Sequence, residues 1–386
     1  MTALLSHVFD ATADLLTEVE AAARPVDAVT SGWFRNRRDL DEADRGAILE
    51  TLYALLRHRA RLGWMLARLG RADTVQNRLT LWLAGGLDAA DMPETVRLEI
   101  PDWAEAPLRQ RFGADFAAEM AATLLPPPLD LRVNPVKTSR EAVLRELKAL
   151  GVVAEATKLS PLGIRIAERL SLTRLPGLKT GEIEIQDEGS QLVAGLVNAR
   201  PGDRVVDFCA GAGGKTLALA AQMQNRGKVV ACDVNEARLK RAAERLRRAG
   251  LHNVETRVLS SETDRWVKRH KAGFDRVLID APCSGTGTWR RNPDARWRAP
   301  DLGLAGLVAL QGRILASAAR LVRPGGRLVY ATCSVLHEEN EAQVAAFLAA
   351  TPAFQLVPQA AGDFLSLTPL RHGTDGFFGA VLEREA

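Results

Sequence analysis

From about Gly181 to its end the chain alternates short, apolar, β-branched runs with longer helical stretches, and few folds accept that order. The runs 204–208, 228–232, 254–259, 276–280, 326–332 and 377–382 read as strands, and 215–224 and 236–249 read as helices between them. Strands buried on both faces show continuous apolar runs, and strand–helix–strand order implies parallel strands wrapped by helices. The last run is hairpin-like and is expected antiparallel to its neighbour. A sheet of this kind delivers its strand ends to one crevice, where ligands bind.

Ahead of this half the pattern changes twice. To about Leu125 apolar residues recur at helical spacing, as in Ile48, Leu49, Leu52, Leu55, Leu56 and Leu62, with acidic residues from Asp41 to Asp44 leading in. The stretches 4–23, 75–87 and 107–124 look alike, so residues 1–125 are expected to form an all-helical bundle. Pro126-Pro127-Pro128 ends it. A strand over 129–133, a helix over 139–150 and a strand over 163–167 then make a small α/β insert, residues 126–180, before the α/β unit of residues 181–386. Basic residues cluster in the bundle (Arg35, Arg37, Arg38, then Arg57, His58, Arg59, Arg61) and in the insert (Arg132, Lys137, Arg140, Arg145, Lys148). They suit a phosphate backbone, although a solvated helix surface explains the bundle's cluster equally well.

The four cysteines have neither metal-site nor disulfide-framework spacing, which points to a reducing compartment and no metal. The amphipathic start carries Asp10, Asp14 and Glu18, unlike a signal peptide, and no apolar run reaches membrane-spanning length. A cytoplasmic monomer away from membranes is the expectation. The net charge of +4 favours an anionic partner only weakly.

The strand 204–208 runs into Cys209-Ala210-Gly211-Ala212-Gly213-Gly214-Lys215-Thr216 and a helix. Such a turn brings backbone close to a ligand and aims helix N–H groups at it. A phosphate-cradling Walker A loop needs glycine where Cys209 stands, and a dinucleotide fingerprint needs glycine where Thr216 stands. A nucleoside without phosphates remains. Asp233, ending the next strand, can accept hydrogen bonds from ribose hydroxyls. S-adenosyl-L-methionine fits, with Lys215 placed to reach cofactor or substrate.

Two further cysteines each follow a strongly apolar strand: Cys283 in Asp280-Ala281-Pro282-Cys283-Ser284-Gly285-Thr286-Gly287, and Cys333 in Ala331-Thr332-Cys333-Ser334. Neighbouring strands can present both thiols, with Asp280, to one substrate. A soft nucleophile that must later be released suits such a pair. Free cysteine is more often a small buried apolar residue, a reading that fits Cys232 and also covers Cys209 as a loop residue.

These motifs, with Glu338-Glu339-Asn340-Glu341, Gln186-Asp187-Glu188-Gly189-Ser190-Gln191 and Leu131-Arg132-Val133-Asn134-Pro135, resemble the RsmB/NOP/Sun family of RNA cytosine-C5 methyltransferases. The helical N-terminus resembles the NusB-type RNA-binding domain of bacterial RsmB proteins. The resemblance implies a Rossmann-like class I S-adenosylmethionine methyltransferase domain with an N-terminal helical bundle and a small α/β insert. It implies that Cys333 attacks C6 of cytosine, that Asp280 holds the base at N3, and that Cys283 helps to remove the C5 proton and release the RNA. It also places the cofactor on residues 209–215, Asp233 and Asp280. Small-subunit ribosomal RNA is the implied substrate; transfer RNA, another RNA, or a non-catalytic assembly or antitermination role are the alternatives. DNA cytosine-C5 methyltransferases use the Pro-Cys cysteine instead, here Cys283, so the residues alone leave the attacking thiol open.

Two departures stand out. The family's loop usually reads Cys-Ala-Ala-Pro-Gly-Gly-Lys, where this chain has Gly211 and Ala212. The family's aspartate after the third strand is missing, with no acid until Glu262, so the adenine contact is left unassigned, with the Ser260 hydroxyl as a candidate. The segment Trp289-Arg290-Arg291-Asn292-Pro293-Asp294-Ala295-Arg296-Trp297-Arg298 mixes arginine with tryptophan and is expected to meet RNA, with a packed surface loop as the competing reading. His337 to Glu341 reads as the start of a polar helix.

Overall fold

The computed structural model describes residues 6–22, 24–167, 170–359 and 362–386. It divides into two compact units. The first is helical, runs to Pro126 and also takes in Trp289–Ala299. Its helices include Ser6–Ala21, Val26–Arg35, Glu42–Arg57, Arg59–Arg68 and Val75–Ala84. The helix expected over 4–23 is thus seen as Ser6–Ala21, and positions 4, 5 and 23 lie outside the described residues. Asp41 caps Glu42–Arg57 by accepting from Asp44 N, and the 48–62 apolar series is split at His58 into two helices. Leu15, Ile48, Leu52, Leu62, Leu66 and Leu79 form the centre of its core.

The second unit comprises Pro127–Thr288 and Pro300–Ala386. It opens with a four-stranded sheet, β1 (Leu129–Val133), β2 (Ala154–Ala156), β3 (Gly163–Ile166) and β4 (Ile183–Ile185), in the order β2-β3-β1-β4 and packed on the helix Arg140–Ala149. The main sheet holds β5 (Arg204–Asp207), β6 (Lys228–Asp233), β7 (Val254–Val258), β8 (Phe274–Asp280), β9 (Val322–Thr332), β10 (Phe354–Leu356), β11 (Leu365–Leu367) and β12 (Phe377–Arg384). Its order is β10-β12-β9-β8-β5-β6-β7, with β11 beside β12. The strands β7, β6, β5, β8 and β9 are parallel, and β12 runs antiparallel to β9.

Successive residues of the central strands go to opposite sides, which is why the sequence runs are apolar throughout. Val206, Val230, Val277, Ile279 and Leu328 enter one core, and Val205, Val229, Leu278, Val329 and Val381 the other. The order reverses between β5 and β8, because β6 and β7 build outward from one side of β5 and β8 and β9 from the other. That reversal opens the crevice in which this class of sheet binds its ligand.

Candidate active site

The turn after β5 forms first. Gly213 has φ of 82°, and a Cβ there would lie 2.8 Å from Ala242 Cβ, so only glycine lets the helix Gly214–Gln222 begin where it does. The turn is also held from outside, in part at Ala212, one of the two places where it departs from the family's usual loop sequence. Arg245 Nη1 donates to Ala212 O at 2.7 Å, and Arg132 Nη1 donates to Gly214 O at 2.7 Å and to Gln186 Oε1. Arg132 is buried, which pulls its pKa down to about 10. Glu184 on β4 pairs with Arg245 and Arg248, so the insert's sheet carries both ends of this brace.

A cavity of about 520 Å³ opens beside the turn. Cys209, Ala210, Gly211, Ala212, Gly214, Lys215, Asp233 and Asp280 line it, while Gly213 serves the turn instead. Asp233 accepts from Gly211 N at 2.8 Å and from Asn235 N at 2.7 Å, leaving lone pairs on each oxygen for hydroxyl donors. Val234, Leu259, Leu310 and Ile314 give the cavity an apolar lining of the kind a purine ring packs against. No phosphate cradle is needed, and the donor set fits S-adenosylmethionine. Burial, with Asp207 and Asp280 close by, pushes the Cys209 thiol well up, so it lines the site as a neutral group.

The third-strand expectation needs correction. Ser260 does not line the cavity; its Oγ and N both donate to Asp264, a local turn that opens the helix Arg265–Arg269. Ser261 and Glu262 line the cavity instead. Arg238, Gln186 and Ser190 also line it and were missed in the sequence; the Arg238 signal was its position one turn into the helix that follows Asp233.

The thiols meet beyond this cavity. Asp280 on β8 stands opposite Ala331 on β9, so each strand leaves the sheet at the same level. Cys283 Sγ and Cys333 Sγ lie 3.4 Å apart. Gly287 locks their loops together: its N donates to Cys333 O at 3.0 Å and its O accepts from Gly376 N at 2.7 Å. The hydrogen bond to Cys333 is the main reason that the Cys283 thiol is pushed well up, with burial and the nearby Glu339 charge adding to it. The two sulfurs lie within hydrogen-bond distance of each other, and either can be the donor. Lys215 Nζ bonds Asp280 Oδ2 at 2.7 Å. Burial opposes charge on Lys215, and the Asp280 carboxylate outweighs it, raising the pKa overall. Asp280 also lines the cofactor cavity, so acid, lysine and cavity form one continuous site.

The arginine–tryptophan segment does not fit the RNA-contact expectation. Trp289 is 1% exposed and Arg296 2%, and both are packed inside the helical unit. Arg296 donates to Leu98 O, Glu99 O and Thr123 Oγ1 and stacks on Trp289 at 4.8 Å. Two of the seven residues of the bundle's basic cluster are likewise engaged within the helical unit: Arg57 is buried and donates to Arg290 O, and Arg61 is tied to Arg97 O and Asp88. Among the described residues no helix is long and apolar enough to cross a membrane, and no group of three or more metal-ligating side chains is present.

With the geometry in hand, comparison with known proteins is direct. The family described as "16S rRNA methyltransferase RsmB/F" matches residues 194–383, and the "Methyltr_RsmF/B-like, ferredoxin-like domain" matches residues 100–173. A ribosomal RNA small subunit methyltransferase B from Photorhabdus laumondii is 35% identical over 286 residues, covering 74% of this chain and 66% of that protein. One from Pseudomonas syringae pv. tomato is 40% identical over 256 residues, covering 66% of this chain and 57% of that one. The matched chain thus spans just under two-thirds of these relatives. Among solved structures, PH0851 superposes with a TM-score of 0.86 at 25% identity, covering 99% of this chain and 100% of the other. A methyltransferase homolog from Pyrococcus horikoshii gives 0.67 at 29% identity, covering 75% and 97%. Two matches from one family in chain order, relatives at 35–40% identity and the Rossmann-like sheet agree: this chain belongs to the RsmB/F methyltransferase family.

Proposed function

We propose that this chain is an S-adenosylmethionine-dependent RNA cytosine-C5 methyltransferase that makes 5-methylcytidine in small-subunit ribosomal RNA. The observation that carries the reading is the pair of thiols 3.4 Å apart, in loops that leave the sheet level with the Lys215–Asp280 pair at the cofactor cavity.

Cytosine C5 is too weakly nucleophilic to take a methyl group while the ring is aromatic. Cys333, as its thiolate, adds through Sγ to C6, and the ring electrons move toward N3 and C5. Asp280, kept in place by Lys215, holds N3, which takes a proton through it as the adduct forms and returns it as C5 is methylated. Bound S-adenosylmethionine supplies the methyl group that C5 takes up. Once Cys333 Sγ is bonded to carbon, the Cys283 thiol gives its proton to solvent. Cys283 then removes the C5 proton; that electron pair restores the C5–C6 double bond as the C6–Sγ bond breaks. One proton is released overall. The base must be unpaired or turned out of its helix to reach two thiols at the loops.

The test offers labelled cofactor with small-subunit ribosomal RNA, transfer RNA or single-stranded DNA. Label recovered as 5-methylcytidine from the ribosomal RNA, lost on Cys333→Ala, is the expected result. Transfer only to transfer RNA or DNA, or to another atom of the base, overturns the reading.

A further inference from the structure

Glu339 and Asn340 are consecutive, 0% and 1% exposed, and play no part in the mechanism above. A carboxylate and an amide so far from water are costly unless every bond they make is needed. Their bonds divide by residue. Glu339 Oε1 accepts from Ser284 N at 2.8 Å and from Gln311 Nε2 at 2.9 Å, and Oε2 accepts from Ser284 Oγ. Gln311 Nε2 in turn donates to Pro282 O at 2.9 Å. Between them, Glu339 and Gln311 grip the peptide groups on either side of Cys283.

Asn340 grips the other loop. Its Nδ2 donates to Ser334 O at 2.9 Å and its Oδ1 accepts from Thr332 Oγ1 at 2.5 Å, so it spans the residues on either side of Cys333. The orientation of Gln311 shows what the arrangement favours. Its Nε2 faces two acceptors, which only a donor can satisfy, and among the described residues its Oε1 is buried without a partner. The side chain gives up one satisfied atom to keep hold of Pro282 and Glu339.

We propose that Glu339, with Gln311, is the positioning residue for release of the methylated RNA, and Asn340 the positioning residue for the attack that forms the adduct. This rests on the assignment of attack to Cys333 and release to Cys283. Moving a thiol by about 1 Å can cost roughly 100-fold in the step that uses it, so loosening each clamp slows one half of the reaction. Glu339→Ala removes the acceptor for Ser284 N; Glu339→Gln keeps a carbonyl oxygen there and serves as the conservative rescue. Gln311→Met removes the Pro282 contact at similar volume. Asn340→Ala frees the Cys333 loop.

The experiment reads two quantities on full-length protein with ribosomal RNA: methyl groups transferred in the first round, and protein–RNA adduct surviving a denaturing gel. Cys283→Ala is the reference and should trap adduct. Glu339→Ala and Gln311→Met are expected to complete the first round, accumulate adduct and lose about 100-fold in later rounds, with Glu339→Gln relieving the block. Asn340→Ala, placed in the Cys283→Ala background, should lose adduct by a similar factor while cofactor affinity stays. Wild-type turnover in both Glu339→Ala and Gln311→Met overturns the proposal. So does a common fall in cofactor binding, first round and adduct across all variants, which is the mark of a merely structural role. If Glu339→Ala does not fold, Gln311→Met decides alone. Absence of adduct in Cys283→Ala itself sinks the assignment of the two thiols, and the division of labour with it.

Discussion

Both units of the molecule bury charge, and they use it for opposite ends. In the helical unit the buried charges of Arg57, Arg296 and Glu99 turn mainly to backbone. Arg57 serves Arg290 O, Arg296 serves Leu98 O and Glu99 O, and the Glu99 carboxylate accepts from Ala60 N and Arg61 N at the start of the helix Arg59–Arg68. These groups complete bonds that helix ends and the irregular Trp289–Ala299 segment leave open. In the α/β unit the buried polar groups turn to loops that carry chemistry: Lys215 to Asp280, Glu339 to the Cys283 loop, Asn340 to the Cys333 loop, Arg132 to the cofactor turn. A buried arginine among helices is therefore no sign of an RNA contact, whereas a buried acid at the carboxyl edge of the sheet does point to the site.

The largest expected effect sharpens that contrast at Gly287. A Cβ there would lie 2.1 Å from Gly376 O, a backbone atom that cannot swing aside, so Gly287→Ala must shift the Cys283 loop away from Gly376 and disturb its Gly287 N–Cys333 O bond. Methyl transfer in a single round should fall by about 100-fold or more, with cofactor affinity nearly unchanged. A Gly287→Ala enzyme of normal rate would mean that the loops are not held by this crossing.

Next comes Arg296→Met. The substitution strands two buried carbonyls and should destabilise the helical unit by about 2–4 kcal/mol in denaturant unfolding, with the cofactor titration unmoved. Exposed Arg35 and Arg38 make the control: replacing both with glutamine should shift stability by less than about 0.5 kcal/mol. Equal effects from the two sets would erase the distinction between structural and surface arginines.

The same distinction explains what was legible in the sequence. The main sheet was readable because its strands are apolar on both faces, and the cofactor turn because glycine at Gly213 has no substitute. The two cysteines were readable because each follows such a strand. Glu339 and Asn340 were taken for the start of a polar helix, since nothing local tells a buried acid from a solvated one. The partners of Glu339, Ser284 and Gln311, are far away in the chain. Arg57 and Arg296 failed for the same reason: their composition matches an RNA-binding surface, and their burial depends on contacts across the helical unit. The Ser260 substitution failed on geometry, because Asp264 captures that serine one helical turn later. The short strands β2, β4, β10 and β11 have too few residues to show a period.

The smallest effect is in pH, where opposing shifts cancel in the helical unit and one dominates in the α/β unit. In the helical unit burial raises the Glu99 carboxyl to about 7 and lowers His58 to about 4. Glu99 stays protonated in the folded state where the unfolded chain has ionised, so its contribution is full below its ordinary value of 4.5 and is lost as pH rises toward 7. His58 stays neutral in the folded state where the unfolded chain is charged, so its contribution is full above 6.5 and is lost as pH falls toward 4. The two slopes oppose each other across the shared window and leave this unit nearly flat. In the α/β unit burial raises Asp207 to about 7, and its Oδ1 has no hydrogen-bond partner among the described residues. Its contribution is complete below 3.8 and is lost as pH climbs to about 7, and the lowered glutamate carboxyls of that unit, Glu141, Glu255 and Glu262, act in the opposite sense only up to their ordinary value of 4.5. Hydrogen exchange read segment by segment at pH 5, 6 and 7 should therefore show the protection of β5 and its neighbours falling while the helical core holds steady. Asp207→Asn should abolish the slope, because the amide keeps an acceptor for Thr216 and never ionises. A slope that survives in Asp207→Asn, or that appears equally in both units, would place the titrating group elsewhere.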